Sequence, residues 1–321
     1  MSQGTLEKKF KSLITPVLIP PTMAVMRYGA NSSLKRWVWK TICNRIRSRE
    51  HPFTIKTQPG FRFAGNTEDL IASYVYYFGV WEPTITAWIS SLPLAGRTVI
   101  DVGAHHGWHS LLAAQCVGPQ GRVVSIEASP SCFAGLRRNI DLNDYQNIRS
   151  INTAAWSTFG TLRLFEGKEG NSATTTVVPE FAQLGYGGRA VKQGGLVEIP
   201  AAPLSALLTA EEISKAALVK IDVEGAEFPV VETLIPLFPK FPQDVRFIIE
   251  LTPEVFEKSG TTPEDFLRLF TNAGFRPYVI PNEYGSDFYI DNHNVSSVKV
   301  TELKGKITRQ MDIVFSRLPI S

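Results

Sequence analysis

From residue 97 onward, apolar runs of strand length alternate with amphipathic stretches of helix length. The runs fall at 98–102, 122–126, 217–221, 245–249, 275–280 and 311–315. The amphipathic stretches lie between them at 107–117, 130–142, 225–237 and 262–273. Strands that are apolar at nearly every residue are covered on both faces. Their alternation with helices predicts an α/β fold built on a doubly wound, mostly parallel sheet. No helical crossover is evident between 275–280 and 311–315, so these two are expected to pair as an antiparallel hairpin at the sheet edge. Residues 153–200 interrupt the alternation with a hairpin-like piece at 161–165 and a glycine-rich run at 185–188.

The pattern suggests three regions. Residues 1–50 read as a helical, proline-interrupted, basic extension. Residues 51–95 read as short accessory strands and aromatic-rich helices packing on the core, the second helix opened by Pro83. Residues 96–321 form the main domain, with 166–199 as an insertion on the substrate side. The chain has 321 residues, 44% hydrophobic and 20% charged, and a formal charge of +3. That charge is not the footprint of a dedicated nucleic-acid binder. Cys43, Cys116 and Cys132 are far apart, with no C-x-x-C, which argues against a disulfide framework and fits a reduced compartment. No apolar run reaches the roughly 18 residues that span a bilayer. The apolar stretch 13–26 is broken by Pro16, Pro20 and Pro21 and does not read as a signal peptide. A cytoplasmic location is expected. Two readings stand for residues 5–49: peripheral contact with an anionic membrane surface, or a solvated helix docked on the catalytic domain.

Val99-Ile100-Asp101-Val102-Gly103-Ala104-His105-His106-Gly107 reads as strand, turn and helix start, and Glu127 closes the next strand. In an open α/β sheet, ligands bind beyond the carboxyl ends of strands, where strand order reverses. Gly103 and Gly107 permit close backbone approach, and the helix start aims amide donors at the same place. Asp101 is expected to face that space, and Glu127 to accept hydrogen bonds from ribose hydroxyls. A nicotinamide dinucleotide needs its pyrophosphate at the helix start, usually through G-x-G-x-x-G. The spacing here is G-x-x-x-G, and Asp101 brings negative charge to the phosphates. S-adenosylmethionine carries a cationic ammonium and sulfonium, which an acidic turn attracts. The turn therefore favours the methyl donor.

Lys220-Ile221-Asp222-Val223-Glu224-Gly225-Ala226-Glu227 ends a second apolar strand, and Glu250 ends a third. Asp222 and Glu250 are expected side by side at the pocket mouth. Glu224 and Glu227 have a plainer role available, complementing the dipole of the helix they precede.

Together, Asp101-Val-Gly-Ala-x-x-Gly, Glu127-Ala-Ser-Pro130, Leu136-x-x-Asn139-Ile140-x-Leu142-Asn143 and the 220–227 run resemble the FkbM family of S-adenosylmethionine-dependent methyltransferases, over roughly residues 60–282. Trp81-Glu82-Pro83 is similar to that family's aromatic-Glu-Pro element. The resemblance implies a Rossmann-like class I methyltransferase with a seven-stranded sheet. It also implies O-methylation of a sugar, glycan or secondary-metabolite hydroxyl. The cofactor residues it implies are Asp101, Gly103, Ala104, His105, Gly107, Glu127, Ala128, Ala155 and Asp222. Three positions depart from the family: His105 stands where Asn is usual, Ala128 where Pro often follows Glu, and Ser205-Ala206 replace a pair of acids.

Asp222, Glu250 and His106 are the catalytic candidates. His106 is either a base or, with His105 and His109, a lining of the cofactor end. Zinc would need a fourth ligand. Asp222 and Glu250 either act on the acceptor proton or hold a divalent cation such as magnesium. Acceptor recognition is expected from 166–195 and the aromatic helices 70–90, with Asn171, Ser172 and Thr174 to Thr176 bonding a polyol and Tyr186 or Trp108 stacking on a ring. The expected partner is a small molecule or glycan, with no nucleic acid. Two other readings are a nicotinamide-dependent oxidoreductase and a non-catalytic binding module of the same fold.

Overall fold

The computed structural model describes residues 20–46, 49–166, 175–178, 196–258 and 260–320. Asn171, Ser172, Thr174, Tyr186 and the glycine-rich run lie outside the described residues.

The strands are β1 (Pro52–Lys56), β2 (Arg62–Asn66), β3 (Thr98–Val102), β4 (Arg122–Glu127), β5 (Ile148–Asn152), β6 (Ala154–Ala155), β7 (Gly160–Phe165), β8 (Leu196–Ala202), β9 (Ala216–Ile221), β10 (Arg246–Leu251), β11 (Arg276–Ile280), β12 (Thr301–Glu302) and β13 (Met311–Ser316). The main sheet has eight strands in the order β12-β11-β13-β10-β9-β3-β4-β5. From β5 to β10 the strands are parallel, while β13 runs antiparallel to both β10 and β11. The reversal of strand order falls between β3 and β9.

Strand sequence explains the layering. Side chains alternate faces along a strand. In β3, Val99 enters one core, while Ile100 and Val102 enter the other. The first core joins the helix Trp108–Val117 to the N-terminal elements, including the buried aromatics Trp39, Tyr77, Phe78 and Trp88. The second is rich in phenylalanine, with Phe247, Phe266, Phe270 and Phe315 fully buried. Each such side chain contributes on the order of 1.5–3 kcal/mol by leaving water.

The structure corrects the expected fold in four places. The sheet has an eighth strand, the two-residue β12. The antiparallel pair β11–β13 forms at that end of the sheet as expected, but it is not a simple hairpin: the helix Ser286–Asn292 and β12 lie between the two strands in sequence, and β13 is inserted between β10 and β11. Strand β5 was not expected, because each of its residues is only partly buried and its pattern is mixed. The helix expected over 225–237 stops at Glu232, and a 3-10 turn follows over Ile235–Lys240, where Pro236 and Pro239 lack the amide donors an α-helix needs.

The motif asparagines have a structural task. Asn139 exchanges hydrogen bonds with both backbone groups of Ala64 and donates to the His106 carbonyl at 2.9 Å. Asn143 does the same with Arg62. The helix Pro130–Leu142 and its end thus fasten strand β2 against the cofactor turn.

Candidate active site

The turns after β3 and β9 meet at the reversal point. Gly103 has φ +83°, and a Cβ there would lie 1.7 Å from the Asp222 carbonyl oxygen. The glycine makes room for the neighbouring turn, not only for a ligand. The amides of Gly103 and Ala104 both donate to the Ile126 carbonyl, so the turn is locked to β4. Four described residues other than glycine have positive φ: Glu82, His105, Asp144 and Glu224. Three of them surround this site. Such conformations cost on the order of 1–3 kcal/mol and persist where surrounding structure holds them.

A cleft opens beside these turns, walled by Gly103, His105, Glu127, Ala128, Ala155 and Asp222, with Thr175, Thr176 and Glu224 across it. A contiguous recess is lined by Trp81, Ala104, His106, His109 and Lys220. A larger cavity of about 840 Å³ lies at the opposite end of the strands, around Gln115, Arg122 and Lys215, far from the carboxylates described here.

Glu127 ends β4 inside the cleft. Its Oε2 accepts from the His105 amide at 2.7 Å and its Oε1 from the Ser129 amide at 2.8 Å. Burial pushes its carboxyl up to about 7. Each oxygen keeps a second lone pair for a hydroxyl donor. Asp222 accepts from Lys220 Nζ at 2.7 Å. Lys220 is buried, yet Asp222, Glu82 and Asp101 hold its ammonium in the charged form. Glu224 is pushed well above the usual carboxylate range by burial and by Glu250 and Asp222, and its buried Oε2 has no hydrogen-bond partner among the described residues. Glu227 accepts from the amides of Val223 and Gly225, so it braces its own turn, a task beyond the helix-dipole role expected of it.

Glu250 lies behind Asp222, and the two repel each other in the buried site. Tyr284 Oη is 2.7 Å from Glu250 Oε1 and 2.8 Å from Glu82 Oε1. A phenol has one proton to donate, so one of the two contacts is donated by a carboxyl group. Glu250 is the carboxyl that favours the proton: burial and Asp222 raise it well above the usual range, against the opposing pull of the Tyr284 hydroxyl. Glu82 is held low by His109 and Lys220 despite complete burial. His109 Nε2 lies 3.2 Å from Glu82 Oε2. Asp312, opposite Glu250 in register, is pushed up to about 8 by burial and Glu82.

Several expected residues fall elsewhere. Asp101 does not face the ligand space. Strand parity turns it toward the helix Trp108–Val117, where its Oδ2 accepts from Ser110 Oγ at 2.6 Å and it lies across the sheet from Lys220. Gly107 caps that helix in a left-handed conformation and lines neither recess. His105 is lowered to about 3 by burial and His106, and His106 is lowered by burial while its ring bonds the Cys132 backbone. Imidazoles whose basicity is lowered in this way match the lining reading better than the base reading. His105, His106 and Cys132 bring three ligand-type atoms within 4.8 Å of one another, with no fourth described ligand beside them. Trp108 does line the recess beside His109, but most of its ring is buried, packed edge-on against Phe61 with its Nε1 donating to Thr86. The aromatic helices are likewise core, although Ile71 and Trp81 reach the recesses. Sequence reading assigned no role to Glu82, Lys220, Tyr284 or Asp312. Lys220 and Asp312 left a signal, each a charge inside an otherwise apolar strand.

The strand order and the cleft at its reversal point define a Rossmann-like α/β fold with a mostly parallel sheet. Residues 101–277, more than half of the chain, match the methyltransferase FkbM domain, and the chain belongs to the FkbM family of S-adenosylmethionine-dependent methyltransferases. Methyltransferase sdnD of Sordaria araneosa is 27% identical over 198 residues, covering 55% of this chain and 72% of that protein. An arsenite methyltransferase of Halobacterium salinarum is 40% identical over 53 residues, 16% of this chain and only 14% of that protein. The structure of methyltransferase FkbM from Methylobacillus flagellatus KT is similar with TM-score 0.39 and 14% identity, over 77% of this chain and 54% of that one. Membership of this family removes the nicotinamide-dependent oxidoreductase as a reading.

Proposed function

We propose that this chain transfers a methyl group from S-adenosylmethionine to a hydroxyl oxygen of a small polar acceptor, such as a sugar, a glycan or a secondary metabolite. The observation that carries this reading is the meeting of Asp222 and Glu224 in the cleft wall. One is paired with a buried ammonium and the other carries an oxygen with no hydrogen-bond partner among the described residues.

The residues fit the methyl donor. Glu127 offers lone pairs for ribose hydroxyls, and Ala128 and Ala155 give apolar walls. The partnerless Glu224 oxygen suits a hydrogen-bond donor such as an ammonium. When bound, S-adenosylmethionine supplies an electrophilic methyl on a positively charged sulfur. Asp222 accepts the proton of the acceptor hydroxyl as its oxygen attacks. Lys220 holds Asp222 in place, and burial together with the Asp222 charge keeps Glu250 neutral beside it. Alignment of acceptor and methyl in the cleft supplies much of the rate, up to about 7–11 kcal/mol in favourable cases.

The residues do not fit a divalent cation between Asp222 and Glu250. Asp222 already faces the Lys220 ammonium, and Glu250 must give up its proton to become a ligand. Turnover is therefore expected to survive a chelator.

The test uses methyl-labelled S-adenosylmethionine with a panel of hydroxylated sugars and metabolites, the products being read by mass spectrometry. Label in an ether-linked methyl on one acceptor class supports the reading. Label found on nitrogen, carbon or carboxylate acceptors, with none on hydroxyls, overturns it.

A further inference from the structure

Residues 1–50 contain ten Lys or Arg against two Glu, while the whole chain is only +3, so the positive charge is concentrated in this segment and the remainder is net acidic. The described part of the segment includes a continuous helical stretch over Ser32–Val38, Trp39–Cys43 and Asn44–Ile46. Its inner side is buried: Lys35, Val38, Trp39, Cys43 and Ile46. Its outer side carries Leu34, Trp37, Lys40 and Arg45, all exposed. These recur at three to five residues, which places them along one stripe of the stretch.

The outer stripe is unusual for a solvated face. Trp37 is 58% exposed and Leu34 47%, and Tyr28, just upstream, is 77% exposed. The neighbouring Trp39 is 3% exposed, so the fold buries one indole of this segment and leaves the other out. Nothing in the core needs Trp37. Arg36 is committed to Asp287 and Asp291, which neutralises the nearest acids. Lys40 and Arg45 have no ion-pair partner among the described residues.

From these observations we infer that the outward stripe of residues 34–45, with the exposed Tyr28 just upstream, docks onto an anionic lipid surface, Leu34 and Trp37 entering the headgroup boundary and Lys40 and Arg45 meeting lipid charge. An indole, a phenol and a leucine beside basic side chains are the chemistry of the membrane interface. A nucleic-acid backbone asks for the positive charge but not for the apolar groups. A second copy of this face brings the same positive charge and repels it. Among the described residues no helix is long and apolar enough to cross a membrane, so the contact proposed is peripheral. It is independent of the acceptor proposed above.

Flotation of the full chain tests it, with vesicles of phosphatidylcholine alone and of phosphatidylcholine mixed with phosphatidylglycerol. Binding is expected to the anionic vesicles only, and to weaken with salt. K40Q/R45Q is expected to lower partitioning by about 30-fold, and L34S/W37S by about tenfold or more. Both variants change exposed side chains, so melting temperature and S-adenosylmethionine affinity should stay at the wild-type values, which separates this failure from failure of the methyltransferase reading. Equal binding to neutral vesicles, no binding to either, or binding unchanged in both variants overturns the proposal. So does equally tight binding to heparin that L34S/W37S leaves intact, which marks a site for soluble polyanions.

Discussion

Asp222 is the carboxylate best placed to reach both ligands, because it lines both recesses and already holds a lysine in position. Replacing it with Asn keeps the shape and removes the proposed base. Turnover is expected to fall about 10²–10⁴-fold, with S-adenosylmethionine affinity changed much less; steady-state rates beside calorimetric Kd values check this. Glu127 sets a different dependence. Its carboxyl sits at about 7, and only the ionised form offers all its lone pairs to ribose hydroxyls. Donor affinity should therefore be full above that value and weaken as pH falls through it. Glu127→Gln should lose affinity and flatten the profile, as titrations across pH would show. Sequence placed Glu127 and Asp222 correctly at strand ends lining the cleft. It misread Asp101, whose position in β3 gives it the parity of Val99, so its side chain goes to the helix face.

At the scale of elements, the β3 and β9 turns work as a unit because backbone touches backbone. Gly103→Ala would push a methyl into the Asp222 carbonyl and require a left-handed alanine. The backbone strain alone costs about 1–3 kcal/mol, and the clash adds to it. Thermal melting should show the loss of stability, and calorimetry a loss of donor binding larger than for a surface Gly→Ala such as at Gly160, where a Cβ meets nothing within 4 Å. The strands were readable as elements because β3, β9 and β10 are apolar along nearly their whole length, and burial on both faces demands that. Strand β5 was unreadable for the converse reason: it is an edge strand, half covered, with Arg149 reaching out to Glu212.

For the molecule as a whole, the buried acids make stability depend on pH. Asp312 is raised to about 8 and Glu127 and Glu227 to about 7. Each binds its proton more tightly folded than unfolded. Their contribution is complete below the unfolded carboxylate range and is lost as pH rises through the folded values. The melting temperature of the ligand-free chain should therefore fall between about pH 5 and about pH 8. Asp312→Asn, which keeps an acceptor for Asn282, should flatten that fall in a melting series. Glu82 opposes the trend, since its lowered value adds stability that is lost only in acid. Periodicity and glycine spacing are local properties, so the residues alone were enough to specify the α/β alternation, the cofactor turn and the family. Tyr284 meets Glu82 across 202 residues, and Asp312 is brought opposite Glu250 by a strand inserted from the far end of the chain. Which carboxyl keeps its proton depends on burial and on charges delivered by other elements, and those distances exist only once the sheet has closed.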